Sequence, residues 1–132
     1  MKLYLDTCCY SRPFDDRAQE KIHMESEAVL AVITGCLRDN DGIIGSPAVE
    51  LEIRRNGDVD KMVKVWHFYR RTVTEEAGYT PEVQGLAGKL RPAGLGMLDA
   101  LHLAFAVTAG ADLLLTTDAK FERLCSKLAL RR

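Results

Sequence analysis

The stretch Ile43-Ile44-Gly45-Ser46-Pro47-Ala48-Val49-Glu50-Leu51-Glu52-Ile53 decides the architecture of this chain. A short apolar run ends at Gly45. Ser46 and Pro47 then supply a helix N-cap and a first helical residue, after which Val49, Glu50, Glu52 and Ile53 continue a helical segment. This is one step from a buried strand into a helix, and the same step recurs on both sides of it. Upstream, Leu3-Tyr4-Leu5 is a short first strand, and Gln19 to Leu37 places Ile22, Val29, Leu30, Val32, Ile33 and Leu37 near helical spacing, closed by Gly35 and the turn from Asp39 to Gly42. Downstream, Arg55-Asn56-Gly57-Asp58 turns into a helix from Asp60 to Arg71 whose inward stripe is Met62, Val63, Val65, Trp66 and Tyr69.

The second half repeats the alternation. Val73 opens a third strand, and Thr80-Pro81-Glu82 caps a helix that runs to about Leu90. Leu95 to Ala109 is apolar nearly all round, as a central helix would be, and Gly110 closes it before a strand from Asp112 to Thr116. Phe121 to Leu128 reads as a terminal helix, with a last strand near Leu128 to Arg131. Short buried strands alternating with helices predict an α/β fold, a three-layer α/β/α sandwich around a central, mainly parallel sheet.

Length and composition agree with one domain over residues 1–132, since 47% hydrophobic content in 132 residues builds a core without staples. A formal net charge of -1 excludes a generally basic nucleic-acid binder, so any such contact must come from a local patch. Cys8, Cys9, Cys36 and Cys125 contain no Cys-x-x-Cys pair, which specifies neither a zinc ribbon nor a redox dithiol. Buried reduced thiols are expected. An acid arrives too soon after Met1 for a signal sequence, and no apolar run approaches the roughly 18 residues of a membrane span. No membrane contact is expected, and the cytoplasm is the expected compartment.

Four acids carry whatever chemistry the chain has: Asp6 after Leu3-Tyr4-Leu5, Glu52 in the helix after Ile43-Ile44, Asp99 in Leu98-Asp99-Ala100-Leu101-His102, and Asp118 after Leu113-Leu114-Leu115-Thr116-Thr117. Asp6 and Asp118 lie at the carboxyl ends of strands, where sites form in parallel α/β sheets. Each also reads simply as a turn residue or helix N-cap. Asp99 sits in a helix with little surface free for water, so a buried carboxylate there must be paired or ligate something, or else cap the stretch from Ala100 onward. Glu50 and Glu52 diverge by roughly 200° on a helix, so only one can face the others. Carboxylates brought together in a low dielectric repel, and a divalent cation neutralises them. Oxygen donors favour Mg2+ or Mn2+.

These motifs, Leu5-Asp6-Thr7-Cys8, Ser46 through Glu52, Leu98-Asp99-Ala100-Leu101-His102-Leu103-Ala104 and Thr116-Thr117-Asp118, stand in the order found in PIN domains, and over most of its length the chain resembles that family. The resemblance selects Glu52 over Glu50 through the Ser-x5-Glu spacing. It implies a metal-dependent ribonuclease with a parallel sheet flanked by helices, commonly a homodimer, many of whose bacterial and archaeal members are the toxin half of VapC-type toxin-antitoxin pairs with an antitoxin protein as partner. Two positions depart from the family pattern: Cys8 stands where a small polar residue is usual, and Lys120 where an acid often stands. A thiol is a poor magnesium ligand.

On this reading Asp6, Asp99, Asp118 and Glu52 are both the catalytic and the metal residues, with Mg2+ or Mn2+ as cofactor and RNA as substrate. Phosphodiester hydrolysis follows by activation of water and neutralisation of the scissile phosphate, with Glu52 as ligand or water-positioning group. Thr7 and Thr116 orient carboxylates. His23, His67 and His102 read as satisfied or solvated imidazoles, His102 standing one turn after Asp99 as an outer partner. Arg12, Arg54, Arg55, Lys61, Lys64, Arg70, Arg71, Lys89 and Arg91 are the cations available to grip phosphates. Two other functions fit the same residues: a catalytically silent PIN scaffold that binds RNA or a protein, and a metal-dependent phosphatase acting on small phosphoesters.

Overall fold

A computed structural model describes residues 1–128. Among these, four strands form one sheet in the order β3-β2-β1-β4, with β1 at Lys2–Leu5, β2 at Gly42–Gly45, β3 at Glu75–Glu76 and β4 at Leu113–Leu115. Every pairing is parallel: Leu3 lies opposite Ile43 on one side and Leu113 on the other, and Ile44 opposite Glu75. The expected α/β sandwich with a mainly parallel sheet is therefore observed, with every described strand parallel. The chain winds outward from β1 through β2 to β3 and then returns across β1 to place β4. The strand order thus reverses at the β1/β4 boundary, and in sheets of this kind the carboxyl ends of the strands at such a boundary are where ligand crevices form.

The helices form where the caps predict. Ser46 Oγ accepts from Val49 N to start α3 (Pro47–Arg54), and Thr80 Oγ1 accepts from Val83 N to start α5 (Pro81–Leu90). Asp58 caps α4 (Val59–Thr72). Helix α2 (Glu20–Asp39) ends at Asn40, whose φ of 59° is the left-handed conformation that closes helices. Helices α6 (Met97–Thr108) and α7 (Ala119–Leu128) complete the set with α1 (Thr7–Ser11), a helix too short to show a period in the sequence. A 3-10 turn, Arg12–Phe14, follows α1. Leu128 closes α7, and the rest of the strand expected near Leu128 to Arg131 lies outside the described residues.

Tyr4, Leu5, Ile43 and Ile44 from the central strands are buried against Val49, Ile53, Ala100, Ala104 and Phe105 of the helices. At about 25 cal/mol per Å² of apolar area removed from water, such side chains supply the main driving force of the fold. Tyr10 of α1 packs edge-on against Phe68 and Tyr69 of α4. The stripe expected on α4 is correct for Val65 and Tyr69, which are buried, and for Met62 and Trp66, which are half-buried. Val63 instead faces solvent. Gly45 is fixed by a close approach: a methyl group at its Cα would overlap the Tyr69 hydroxyl and stand 2.9 Å from Val73 Cγ1. That space lets the Tyr69 hydroxyl accept from Ser46 N at 3.1 Å and donate to Glu76 Oε2 at 3.1 Å.

Candidate functional site

Asp6 follows β1 directly. Its backbone N–H still pairs with Leu115 O of β4, and its side chain then turns into the crevice and caps α1. Oδ1 accepts from Thr7 N at 2.8 Å. Oδ2 accepts from Thr116 Oγ1 at 2.8 Å and from the Cys8 thiol at 3.5 Å. Thr116 in turn accepts from Asp118 N at 3.0 Å. The ends of β1 and β4 are thus tied through the carboxylate of Asp6, which is only 7% exposed.

Glu52 enters from α3. Its Oε1 accepts from Thr7 Oγ1 at 2.9 Å and from Nε2 of His102, which also lies 3.4 Å from Asp6 Oδ1. One donor atom each from Asp6, Glu52 and His102 falls within 4.8 Å of the others, a spacing that one cation can span. Burial alone would raise the Glu52 carboxyl, but the hydrogen bonds from His102 and Thr7, with the His102 charge, hold it below its ordinary range. Burial likewise disfavours a charged His102, yet Glu52, Asp6 and Asp99 together raise it. Glu50 points elsewhere, its charge being felt at Tyr69 and Glu76. Of the two glutamates, Glu52 is the one that lies beside Asp6 and His102.

Asp99 occupies the first turn of α6 and is half-buried, not enclosed as the apolar sequence around it suggested. Nor does it cap that helix, because Gly96 holds the N-cap position and its carbonyl accepts from Ala100 N. Burial pushes the Asp99 carboxyl up, and the negative fields of Asp6, Asp118 and Glu52 add to it while His102 opposes. The charges of Asp6, Glu52 and Asp118 are thus all felt at Asp99. Asp118 is exposed, and its Oδ1 accepts from Lys120 N and Phe121 N, so it starts α7 as a helix cap while contributing charge to the pocket. Asp99 and Asp118 flank the tight group of Asp6, Glu52 and His102 without belonging to it.

The donor chemistry suits a hard divalent ion. Carboxylate oxygens dominate, those of Asp6 and Glu52 are held by hydroxyl, amide or imidazole donors, and the repulsion felt at Asp99 is what a cation would relieve. Cys8 brings a softer neighbour: its sulfur accepts from Thr117 N at 3.3 Å and lies 3.6 Å from Thr116 Oγ1. A hydrogen bond with Cys9 lowers the Cys8 thiol to about 7 against the opposing effects of burial and Asp6.

Sequence reasoning kept His102 only as an outer partner, read Ser46 as a helix cap and the start of the Ser-x5-Glu spacing, and gave Tyr4 no part in the site. His102 is fully buried, its Nδ1 lies 2.7 Å from Tyr4 OH, and Tyr4 OH lies 2.6 Å from Ser46 Oγ. One signal was readable: His102 follows Asp99 by three positions, so both project from one face of α6. Two expected phosphate-gripping cations are already engaged, Arg12 with Asp15, Glu25 and Thr117, and Lys61 with Asp15. Arg54 and Arg70 lie over the Trp66 ring at 4.8 and 6.0 Å.

Comparison with known proteins places these features in context. The sequence model of the PIN domain family matches residues 3–127. No curated protein matches the chain. Among solved structures, the crystal structure of VapBC2 from Rickettsia felis bound to a DNA fragment from its promoter contains a chain of similar fold, with a TM-score of 0.55 at 16% identity over 93% of this chain and 92% of that one. No described helix is long and apolar enough to cross a membrane.

Proposed function

Since this chain belongs to the PIN domain family, we propose that it is a divalent-metal-dependent endoribonuclease that hydrolyses RNA phosphodiesters at the acidic crevice between β1 and β4. The observation that carries the proposal is the meeting of Asp6 and Glu52, with His102, inside 4.8 Å, beside an Asp99 whose carboxyl burial and the surrounding acids raise.

Asp6 and Glu52 would hold the ion from two sides, with Asp99 and Asp118 completing the negative surround directly or through water. Mg2+ or Mn2+, when bound, supplies charge neutralisation at a phosphate and a water more acidic than bulk water. Glu52, fixed by Thr7 and His102, is placed to accept a proton from an attacking water. Thr116 holds Asp6 Oδ2 in one orientation. No side chain is required as a covalent nucleophile. The open crevice suits single-stranded or looped RNA, whose backbone can bend to present a phosphate.

The proposal extends to partners. A second copy of the chain and an antitoxin protein are the expected ones, the latter because the structural neighbour is a VapBC complex. A protein-coding frame for a small DNA-binding protein beside this gene would support the toxin role.

Purified protein should cut single-stranded RNA with Mn2+, stop in excess chelator, and lose the activity in Asp6→Asn and Asp99→Asn while both variants remain folded. Unchanged cleavage in either variant, or in chelator, removes the proposal. A second reading, a silent scaffold that binds RNA or protein, is favoured by Cys8, whose sulfur stands 3.5 Å from Asp6 where a hard oxygen would serve a magnesium ion better. RNA binding without cleavage under Mn2+ selects it. Turnover of a small chromogenic phosphoester, with RNA untouched, selects a phosphatase instead.

A further inference from the structure

Three side chains with no exposed surface, Ser46, Tyr4 and His102, form a polar thread through the core that ends on the two carboxylates of the site. Ser46 Oγ lies 2.6 Å from Tyr4 OH, Tyr4 OH lies 2.7 Å from His102 Nδ1, and His102 Nε2 reaches both Glu52 Oε1 and Asp6 Oδ1. Fully satisfied buried networks fix one arrangement of their members, because any other leaves a polar atom unpaired away from water.

We propose that His102 is a positioning residue that holds Glu52 and Asp6 at metal-binding separation by donating from Nε2, and that Tyr4 and Ser46 set its ring for that task. This role rests on the nuclease reading. It makes His102 neither a base nor a ligand, although its nitrogen lies close enough to the two carboxylates to ligate.

The direction of the bonds supports donation. With a neutral ring, Ser46 donates to Tyr4, Tyr4 donates to Nδ1, and Nε2–H points at the carboxylates, so each of these protons has an acceptor. With a charged ring, Nδ1–H donates to Tyr4, Tyr4 donates to Ser46, and Nε2–H is unchanged. Nε2 is therefore a donor in both protonation states. Only the remaining tautomer would free its lone pair, and that lone pair would face two anionic oxygens. The thread also begins at a fixed point: Ser46 caps α3 through Val49 N, and its own N–H donates to Tyr69 OH. The helix that carries Glu52 and the ring that grips Glu52 are thus anchored to the same residue.

The test compares wild type with Tyr4→Phe, His102→Gln and His102→Leu, all checked for folding by circular dichroism, in Mn2+ affinity by calorimetry, in kcat and KM on single-stranded RNA, and in pulsed EPR of bound Mn2+. Tyr4 touches neither carboxylate oxygen, so loss of its hydroxyl reaches them only through its partners His102 and Ser46. Removing outer partners of metal ligands typically costs about 10- to 100-fold in affinity or activity. Tyr4→Phe and His102→Leu should therefore weaken Mn2+ binding or kcat about tenfold or more with KM for RNA little changed. His102→Gln, which keeps an N–H donor, should recover most of the loss, and wild-type Mn2+ should show no directly bonded nitrogen. A strong histidine nitrogen coupling makes His102 a ligand and overturns the role. So do folded Tyr4→Phe and His102→Leu proteins that match wild type. Should Tyr4→Phe not fold, the wild-type spectrum and the Gln/Leu contrast at position 102 decide. A wild type that neither binds Mn2+ nor cuts RNA ends the nuclease reading itself, whereas an active wild type with indifferent variants ends only the positioning role.

Discussion

The hydroxyl of Thr116 donates to Oδ2 of Asp6 across 2.8 Å, joining residues from the two strands between which the sheet reverses its order. This bond leaves Asp6 one orientation, with its other oxygen turned toward His102 and Glu52. Thr116→Val keeps the shape and deletes the donor. Cleavage should fall by about 10- to 100-fold with melting nearly unchanged, as for other partners of metal-ligating carboxylates. Steady-state kinetics with saturating Mn2+ against limiting Mn2+ checks it, the loss being larger when the ion is limiting.

Neutralising the acids separates chemistry from folding. Asp99→Asn removes a carboxylate that burial and its acidic neighbours already penalise. The metal-free variant should melt at the same temperature as wild type or above it, while cleavage drops by at least about a hundredfold, more than loss of an outer partner would cause. A thermal melt and an RNA assay on one preparation give both numbers, and a large drop in melting temperature would contradict the repulsion described here.

The pH dependence has a definite sign. His102 is raised above its ordinary 6.5, so its contribution to stability is complete below that value and is lost as pH climbs through the folded value. Glu52 is lowered from 4.5, so its contribution is present above that value and is lost as pH falls through the folded one. Asp99 is raised above 3.8, which makes its ionisation a cost on the alkaline side. Metal-free protein should be most stable between about 4.5 and 6.5 and melt progressively lower toward pH 8, with Mn2+ restoring the loss. Scanning fluorimetry across that range reads the curve, and His102→Gln should flatten its upper limb.

Cys8 should be the reactive thiol. Its sulfur is lowered to about 7 by its bond with Cys9, whereas burial and neighbouring acids push Cys125 up to about 11, and Cys9 is driven up by its bond with Cys8 and by burial. Iodoacetamide at pH near 7 should label Cys8 several-fold faster than Cys9 or Cys125, as peptide mass mapping would show. Cys8→Ser, which places a hard oxygen beside Asp6, should favour Mg2+ over Mn2+ as the supporting ion relative to wild type.

Gly45→Ala tests the packing beneath the site. The added methyl would overlap the Tyr69 hydroxyl and crowd Val73, a misfit expected to cost about 1–3 kcal/mol. Urea unfolding of the variant measures it directly.

Much of this was legible in the chain. Ser46-Pro47 and Thr80-Pro81 announced their helices because capping is a local matter of one side chain and a few amides. The acids at 6, 52, 99 and 118 were legible because carboxylates next to buried strands and within an apolar helix need a reason. Helix α1 was not, since five residues carry no period and its cap is the very Asp6 that also serves the site. The setting of His102 was not, because its partners, Tyr4, Asp6 and Glu52, lie 98, 96 and 50 positions away, and sequence spacing says nothing about which ring nitrogen meets which oxygen.

Because β1 is paired on both sides, and its neighbour β4 at Leu113–Leu115 is far from it in sequence, the site has no second wall until residues past Leu113 have been made and docked. A nascent chain on the ribosome can fold β1 against β2 early, yet Asp6 then lacks Thr116 and the charge of Asp118. The proposed activity would thus wait on the docking of β4, whatever the order in which the rest of the fold assembles.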